Sequence, residues 1–255
     1  MLKIIPLPAF NDNYIWLLQS GAHAVVVDPG DANVVAAYCQ RQQLQLSAIL
    51  ITHCHGDHIG GVEELQQRYG CPVYAPAHPA LKSTTQPVSD NDRIAITQPE
   101  ISFKVLSLPG HTAEHMGYYA AGMLFCGDTL FACGCGRIFD GTARQLHQSL
   151  QKLAHLPPDT RIYCSHEYTL ANQRFALTVE PDNLALQQRH RRDQALRDAN
   201  QPTLPSTLAD ELASNPFLRC DNARIQQAVQ RYCGHTLTDS EQVFAELRCW
   251  KDTFR

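Results

Sequence analysis

The 255-residue sequence predicts a mixed α/β domain over residues 1–168 followed by a helical domain over 169–255. Up to about position 168, short apolar runs of strand length alternate with stretches of helical periodicity, the pattern of strands separated by helices. From about Leu170 onward only helical spacing remains. Hydrophobic residues make up 44% of the chain, enough for one sizeable core with an appendage.

The elements follow in order. "NYIWLLQS" (13–20), a turn at Gly21 and "HAVVVDPG" (23–30) read as two apolar strands in a hairpin, closed by the Asp28-Pro29-Gly30 turn. "DANVVAAYCQRQQ" has helical spacing. "LSAILITH" (46–53) is a continuous apolar run of strand length, and "GGVEELQQRYG" after it is helical. Strands are expected at "CPVYAP", "RIAI", "ISFKVLSLPG" and "MGYYAAGMLFCGD", an amphipathic helix at "TARQLHQSLQKLAHL" and a last strand at "TRIYCSH" (160–166). Beyond it, "NLALQQRHRRDQALRDA", "ARIQQAVQRYC" and "SEQVFAELRCWKDTF" are helical, interrupted by the two prolines of "NQPTLPST" (200–207).

Composition excludes several function classes. A net charge of -4 and a pI near 6.3 offer no global positive field for nucleic acid or an anionic membrane, so an anionic substrate requires a local basic patch. The opening "MLKIIPLPAFNDNYIW" is interrupted by Pro6 and Pro8 and lacks the apolar core and small-residue cleavage site of a signal peptide. No run of about 18 apolar residues is present to span a membrane. The ten cysteines are scattered without C-x-x-C pairs, and reduced thiols in a cytoplasmic protein are expected. "CGC" at 133–135 reads as a tight glycine loop rather than a redox or metal pair.

The chemistry concentrates at strand ends. His53, His55, Asp57 and His58 follow the strand 46–53; His111 follows "ISFKVLSLPG"; Asp128 ends "MLFCGD"; His166 ends "TRIYCSH". Strand ends are where α/β architectures gather binding groups. Lone histidines such as His23, His78 and His155 read as structural or solvated. H-x-H-x-D-H in one run does not, and Cys54 inside it is expected to point away from the ligands. Imidazole and carboxylate without thiolate suit zinc, iron or manganese in a catalytic site. Seven ligands exceed one tetrahedral ion and suit two, with one carboxylate shared. Such a site supplies hydroxide near neutral pH and stabilises an oxyanion.

"THCHGDH", "GHTAEH", "CGDTLF" and "CSHEYT", in this order, resemble the metallo-β-lactamase superfamily. "GDTLFACGCGRIFDGT", "HEYTLANQRFA", "NPFLR" and "LRCWKDTF" are similar to its glyoxalase II (hydroxyacylglutathione hydrolase) branch, and the resemblance covers nearly the whole chain. It implies an αββα sandwich with a dimetal site at one edge, then a helical substrate-binding domain. Two divalent ions are implied, zinc first, with iron or manganese compatible. His53, His55 and His111 would hold one, Asp57, His58 and His166 the other, and Asp128 would bridge. Asp57 and Asp128 would be the catalytic carboxylates. The implied reaction is cleavage of S-D-lactoylglutathione and other 2-hydroxyacylglutathiones to D-lactate and glutathione, the second step of methylglyoxal detoxification. Arg137, Phe139, Tyr168, Arg248 and Lys251 would contact the substrate, with Arg248 and Lys251 on one helix face. The partner is thus a small glutathione thioester, with no nucleic acid or membrane, and the protein a monomer.

Three positions depart from the family pattern: Cys54 where histidine is frequent, Glu114 for the usual glycine of "GHT-x-GH", and Phe139 for a tyrosine. Rivals on the same fold are weaker. Sulfur dioxygenases generally lack the "LRCWKDTF" tail, flavodiiron proteins carry glutamate where His55 stands, and for a lactonase or β-lactamase the basic tail has no use.

Overall fold

The structure, a computed structural model, describes residues 1–254. In chain order its elements are β1 (Lys3–Ala9), β2 (Asn13–Ser20), β3 (His23–Val27), α1 (Ala32–Gln42), β4 (Gln45–Leu50), α2 (Gly56–Ile59), α3 (Val62–Tyr69), β5 (Val73–Ala75), β6 (Gln86–Pro87), β7 (Arg93–Thr97), β8 (Glu100–Ser107), β9 (Met116–Ala120) and β10 (Met123–Gly127). Then come β11 (Leu130–Phe131), β12 (Gly134–Cys135), α4 (Ala143–Ala154), β13 (Arg161–Cys164), α5 (Thr169–Val179), α6 (Leu184–Asp198), β14 (Ser206–Thr207), α7 (Leu208–Ser214), a 3₁₀ turn (Pro216–Leu218), α8 (Ala223–Cys233) and α9 (Ser240–Thr253). The chain forms two compact units, residues 1–107 with 114–127, and 108–113 with 128–255. The segment carrying Asp128 and His166 thus belongs with the helices.

In the first unit a six-stranded sheet runs β1-β2-β3-β4-β5-β6, antiparallel through β3 and parallel beyond it. Leu17, Val26, Ile49 and Val73 of this sheet share one buried core with Val35 of α1 and Leu65 of α3, which is why these helices carry an apolar stripe. A second, antiparallel array runs β10-β9-β8-β7. From it, buried Tyr118 donates its hydroxyl to the carbonyl of Ile51 at 2.7 Å, tying this array to the end of β4. The rings of Phe103 and Phe125 meet edge to face beside it, at 6.3 Å.

The differences from expectation are local. β1 was hidden by Pro6 and Pro8. It is an edge strand paired with β2 alone, where the missing amide hydrogens break no inner ladder. "MGYYAAGMLFCGD" is two strands, β9 and β10, reversed at Ala121–Gly122. The helical part is not free of strand: β14, inside the proline-interrupted "NQPTLPST", pairs with β13 through Ile162 and Ser206.

In the second unit α5 packs on α6, and α9 on both α4 and α8. Helix α4 starts with a reciprocal capping box between Thr142 and Gln145. A buried ionic cluster sits beneath the loop 128–137. Arg189 reaches Glu211 at 2.6 Å and Asp193 at 3.4 Å. Glu211 accepts the amide of Cys133 at 2.8 Å, and Asn215 donates to the carbonyls of Phe131 and Gly134 at 3.1 and 2.9 Å. Cys133 is held at φ 54°, a conformation that a non-glycine residue keeps only when such contacts enforce it.

Candidate metal centre

In the first unit the candidate ligands are built on Asp28, at the end of β3. Its φ of 51° is left-handed, which Asp tolerates better than most residues. One carboxylate oxygen accepts the amide of Thr52 at 2.7 Å. The other accepts the Thr52 hydroxyl at 2.7 Å and Nδ1 of His58 at 3.1 Å. Since Thr52 gives its hydroxyl hydrogen to Asp28, its oxygen can only accept from Nδ1 of His53, 3.0 Å away. The network therefore assigns the proton of both imidazoles to Nδ1 and turns the Nε2 lone pairs outward. Nε2 of His53 lies 3.1 Å from Nδ1 of His55, and Nε2 of His58 lies 3.5 Å from the Asp57 carboxylate. Asn13 holds that carboxylate with a 2.9 Å hydrogen bond.

Close packing supports these side chains. A Cβ on Gly30 would lie 1.8 Å from the carbonyl oxygen of Asp57, so only glycine lets the Asp28–Gly30 turn approach α2 this closely. His115, fully buried, stacks on His53 with ring centres 4.8 Å apart.

The second unit holds its own group of candidate ligands, His111, Asp128 and His166. Nδ1 of His111 donates to the carbonyl of Arg137 at 2.7 Å, which again leaves Nε2 as the acceptor nitrogen, 3.6 Å from the Asp128 carboxylate. Nε2 of His166 lies 3.4 Å from the same carboxylate oxygen. The loop behind them is tight: a Cβ on Gly136 would lie 2.0 Å from the carbonyl oxygen of Asp128.

This donor set fits metal. In each unit an imidazole lone pair faces a carboxylate at 3.5–3.6 Å, an arrangement that repels until a cation lies between. Protonating every imidazole would crowd like charges, whereas divalent ions satisfy nitrogen and oxygen donors together. Asp28 also lies within 4.8 Å of the ligand atoms of His53 and His58, but both its oxygens already accept hydrogen bonds, so it acts as an anchor. No cysteine joins a possible ligand group among the described residues. Cys54 packs against the apolar core. Burial, with Glu114 and Asp28 adding, pushes its thiol up to about 12 and keeps it protonated. Cys133 and Cys135 are buried in the loop.

All five expected substrate residues fall in the second unit. Phe139 is 64% exposed, its ring 5.1 Å from and edge-on to His111. Tyr168 stacks on His166 at 4.7 Å. Arg137 is exposed and lies 3.8 Å from Asp252. Arg248 and Lys251 share α9 but differ in surroundings. Arg248 is buried, donating to the carbonyls of Cys135 and Gly136 at 2.9 and 3.4 Å and to Asp252 at 3.0 Å. Its guanidinium therefore braces the loop behind His111 and Asp128. Lys251 is half-buried, its ammonium over the rings of Phe175 and Phe254 at 5.5 and 5.6 Å. Burial, then the charges of Arg248, Arg174 and Arg137, push its pKa below the ordinary lysine value. Together these four cations form the local basic patch that the overall charge lacks.

Sequence reasoning missed Asp28, Asn13, Thr52, His115 and Arg174. Asp28 carried a signal, a carboxylate in a turn at a strand end, and His115 stood within the quoted "GHTAEH". Arg174 likewise stood within the quoted "HEYTLANQRFA".

Comparison with known proteins fits this geometry. The family model described as "Metallo-beta-lactamase superfamily" matches residues 9–166, and that described as "Hydroxyacylglutathione hydrolase C-terminus" matches residues 167–254. The chain is 48% identical over its full length to the hydroxyacylglutathione hydrolase of Nitrosomonas europaea, covering 97% of that protein. Among solved structures it resembles the BLEG-1 B3 metallo-β-lactamase, with a TM-score of 0.64 and 25% identity, over 86% of this chain and 100% of that one. It also resembles TTHA1623, solved in a di-iron-bound form, with a TM-score of 0.54 and 29% identity, over 64% of this chain and 91% of that one. The αββα fold, the sequence along its full length and the helical region agree: the chain belongs to the hydroxyacylglutathione hydrolase family of the metallo-β-lactamase superfamily.

Proposed function

We propose that the protein is a dimetal thioester hydrolase that cleaves S-D-lactoylglutathione and other 2-hydroxyacylglutathiones to D-lactate and glutathione, the second step of methylglyoxal detoxification. The observation that carries this reading is the full-length likeness to the Nitrosomonas europaea hydrolase, which extends through the helical region holding the basic patch.

His53, His55 and His111 would hold one divalent ion, Asp57, His58 and His166 the other, and Asp128 would be shared. Zinc is the first choice for this donor set, and iron or manganese are compatible. When bound, two such ions supply a hydroxide nucleophile near neutral pH and a positive field for the oxyanion. The protein's own residues do the rest. Asp28, through Thr52 and directly, keeps His53 and His58 in the tautomer that presents Nε2. Asn13 fixes Asp57, which orients the attacking water and accepts its proton. Lys251 and Arg137 attract the glutathione carboxylates, Tyr168 and Phe139 flank the thioester, and Arg248 acts through the loop it braces. Hydrolysis breaks the C–S bond, and the proton from water passes to the departing thiolate.

In the described residues no helix is long and apolar enough to cross a membrane, which suits a cytosolic enzyme where glutathione is abundant. Metal analysis of the purified protein, combined with hydrolysis of S-D-lactoylglutathione followed at the thioester absorbance, tests the reading. About two transition-metal ions per chain and metal-dependent turnover are expected. Full activity with one tightly held ion, or no turnover of the thioester, would overturn it.

A further inference from the structure

The turn between β1 and β2 carries a residue with no task in the site described above. Phe10 is 60% exposed and sits at φ 52°. A bulky aromatic in left-handed backbone is an outlier, because its Cβ crowds its own backbone, and such outliers persist where the surroundings enforce them. The ring is placed with purpose. A Cβ on Gly30 would meet Cε2 of Phe10 at 3.0 Å and the Asp57 carbonyl oxygen at 1.8 Å, so the ring and Asp57 converge on the same glycine. At the other end of this turn Asn13 holds the Asp57 carboxylate at 2.9 Å. One short turn thus fixes a proposed metal ligand and presents an uncovered apolar ring beside it.

Nothing in the first unit's core needs Phe10, and solvent gains nothing from it. A thioester substrate, by contrast, has one part that the basic patch cannot read: the acyl group, which is short, uncharged and partly apolar. Resting on the thioester hydrolase reading above, we infer that Phe10 is a specificity residue whose ring covers the apolar side of the 2-hydroxyacyl group. The structure assigns it a preference for acyl groups with a methyl or aryl substituent over the bare glycoloyl group. Covering on the order of 60 Å² of apolar surface corresponds to roughly ten-fold in kcat/KM.

The test compares wild type, Phe10→Ala and Phe10→Gly, loaded with metal, on S-glycoloyl-, S-D-lactoyl- and S-mandeloylglutathione, with thermal unfolding of each protein. Wild-type turnover of the lactoyl substrate first establishes the underlying reading; its absence would overturn both. Given turnover, both variants should lose about ten-fold in kcat/KM on the mandeloyl substrate, less on the lactoyl, and stay within two-fold on the glycoloyl. Phe10→Gly should unfold at least as high as wild type and above Phe10→Ala, because glycine relieves the left-handed strain. Equal losses on all three substrates, or no loss, would refute the acyl contact while leaving the hydrolase reading intact. A lowered unfolding temperature in Phe10→Gly with unchanged acyl preference would show that the ring serves only the fold.

Discussion

Replacing Asp28 by asparagine tests the wiring of the site without touching a proposed ligand. The side chain keeps its shape, and asparagine tolerates the φ of 51° as readily as aspartate, so the backbone has no reason to move. The hydrogen bonds cannot all survive. The carboxylate accepts three, from the amide and hydroxyl of Thr52 and from Nδ1 of His58. With the amide oxygen facing the Thr52 amide, the new NH₂ group points at two donors. His58 then has to move its proton to Nε2, which removes the lone pair it presents to metal. Loss of such an outer partner typically weakens a metal site ten- to a hundred-fold. In the metal-free protein, losing charge-assisted hydrogen bonds at a site only 4% exposed costs about 1.5–3 kcal/mol. For a chain of this size that lowers Tm by about 3–10 °C. The assays are a competition titration of zinc against a chromophoric chelator and calorimetry of the metal-free protein. If Asp28→Asn binds two zinc ions with wild-type affinity and unfolds within about 1 °C of wild type, the tautomer argument is wrong.

Other variants probe the remaining parts. Asp128→Ala should abolish activity and loosen both metals, whereas Asp57→Asn should keep more metal while losing most of the rate; metal content and kcat measured together separate them. Lys251→Ala should raise KM and leave kcat within a few-fold, costing roughly ten- to a hundred-fold in kcat/KM, because the glutathione carboxylate is unchanged by the reaction. Since burial and neighbouring arginines lower the Lys251 pKa, its charge is present below that pKa and lost as pH rises through it. Wild-type KM should therefore climb before pH reaches the ordinary 10.5, and this climb should be missing in Lys251→Ala. Disulfide-reagent labelling at pH 8 should count far fewer than ten thiols in the native protein and all ten after denaturation. Exposed Cys249 should react first, while Cys54 and Cys133, both pushed up to about 12, stay protonated.

Much of this was legible in the sequence because strand-end chemistry is local. "LSAILITH" ends where its apolar run ends, and the ligand-type residues follow at once. What escaped depends on position within the fold. Pro6 and Pro8 argue against a strand until β1 is known to be an edge. β14 is two residues long and exists only because β13 offers it a partner. Arg248 and Lys251 are neighbours on a helical wheel, yet one is committed to the Cys135 and Gly136 carbonyls and the other lies over two rings. Periodicity places both on a face and says nothing of what the face meets. Asp28 was visible as a turn residue, but its three donors come from positions 24 and 30 residues away.

The cluster of Arg189, Glu211 and Asp193 beneath the loop constrains the history open to this protein. Removing one member strands a buried charge, at a cost of about 3–5 kcal/mol, while exchanging the whole set for apolar side chains can be neutral. Glu211, however, also receives the Cys133 amide, so an apolar replacement must supply a new acceptor for a loop held at φ 54°. A lineage drifting by single substitutions meets a barrier in every direction, and only several coordinated changes lead out. The cluster behaves as a ratchet: once assembled it keeps the loop of Asp128 in place while the helices around it remain free to diverge.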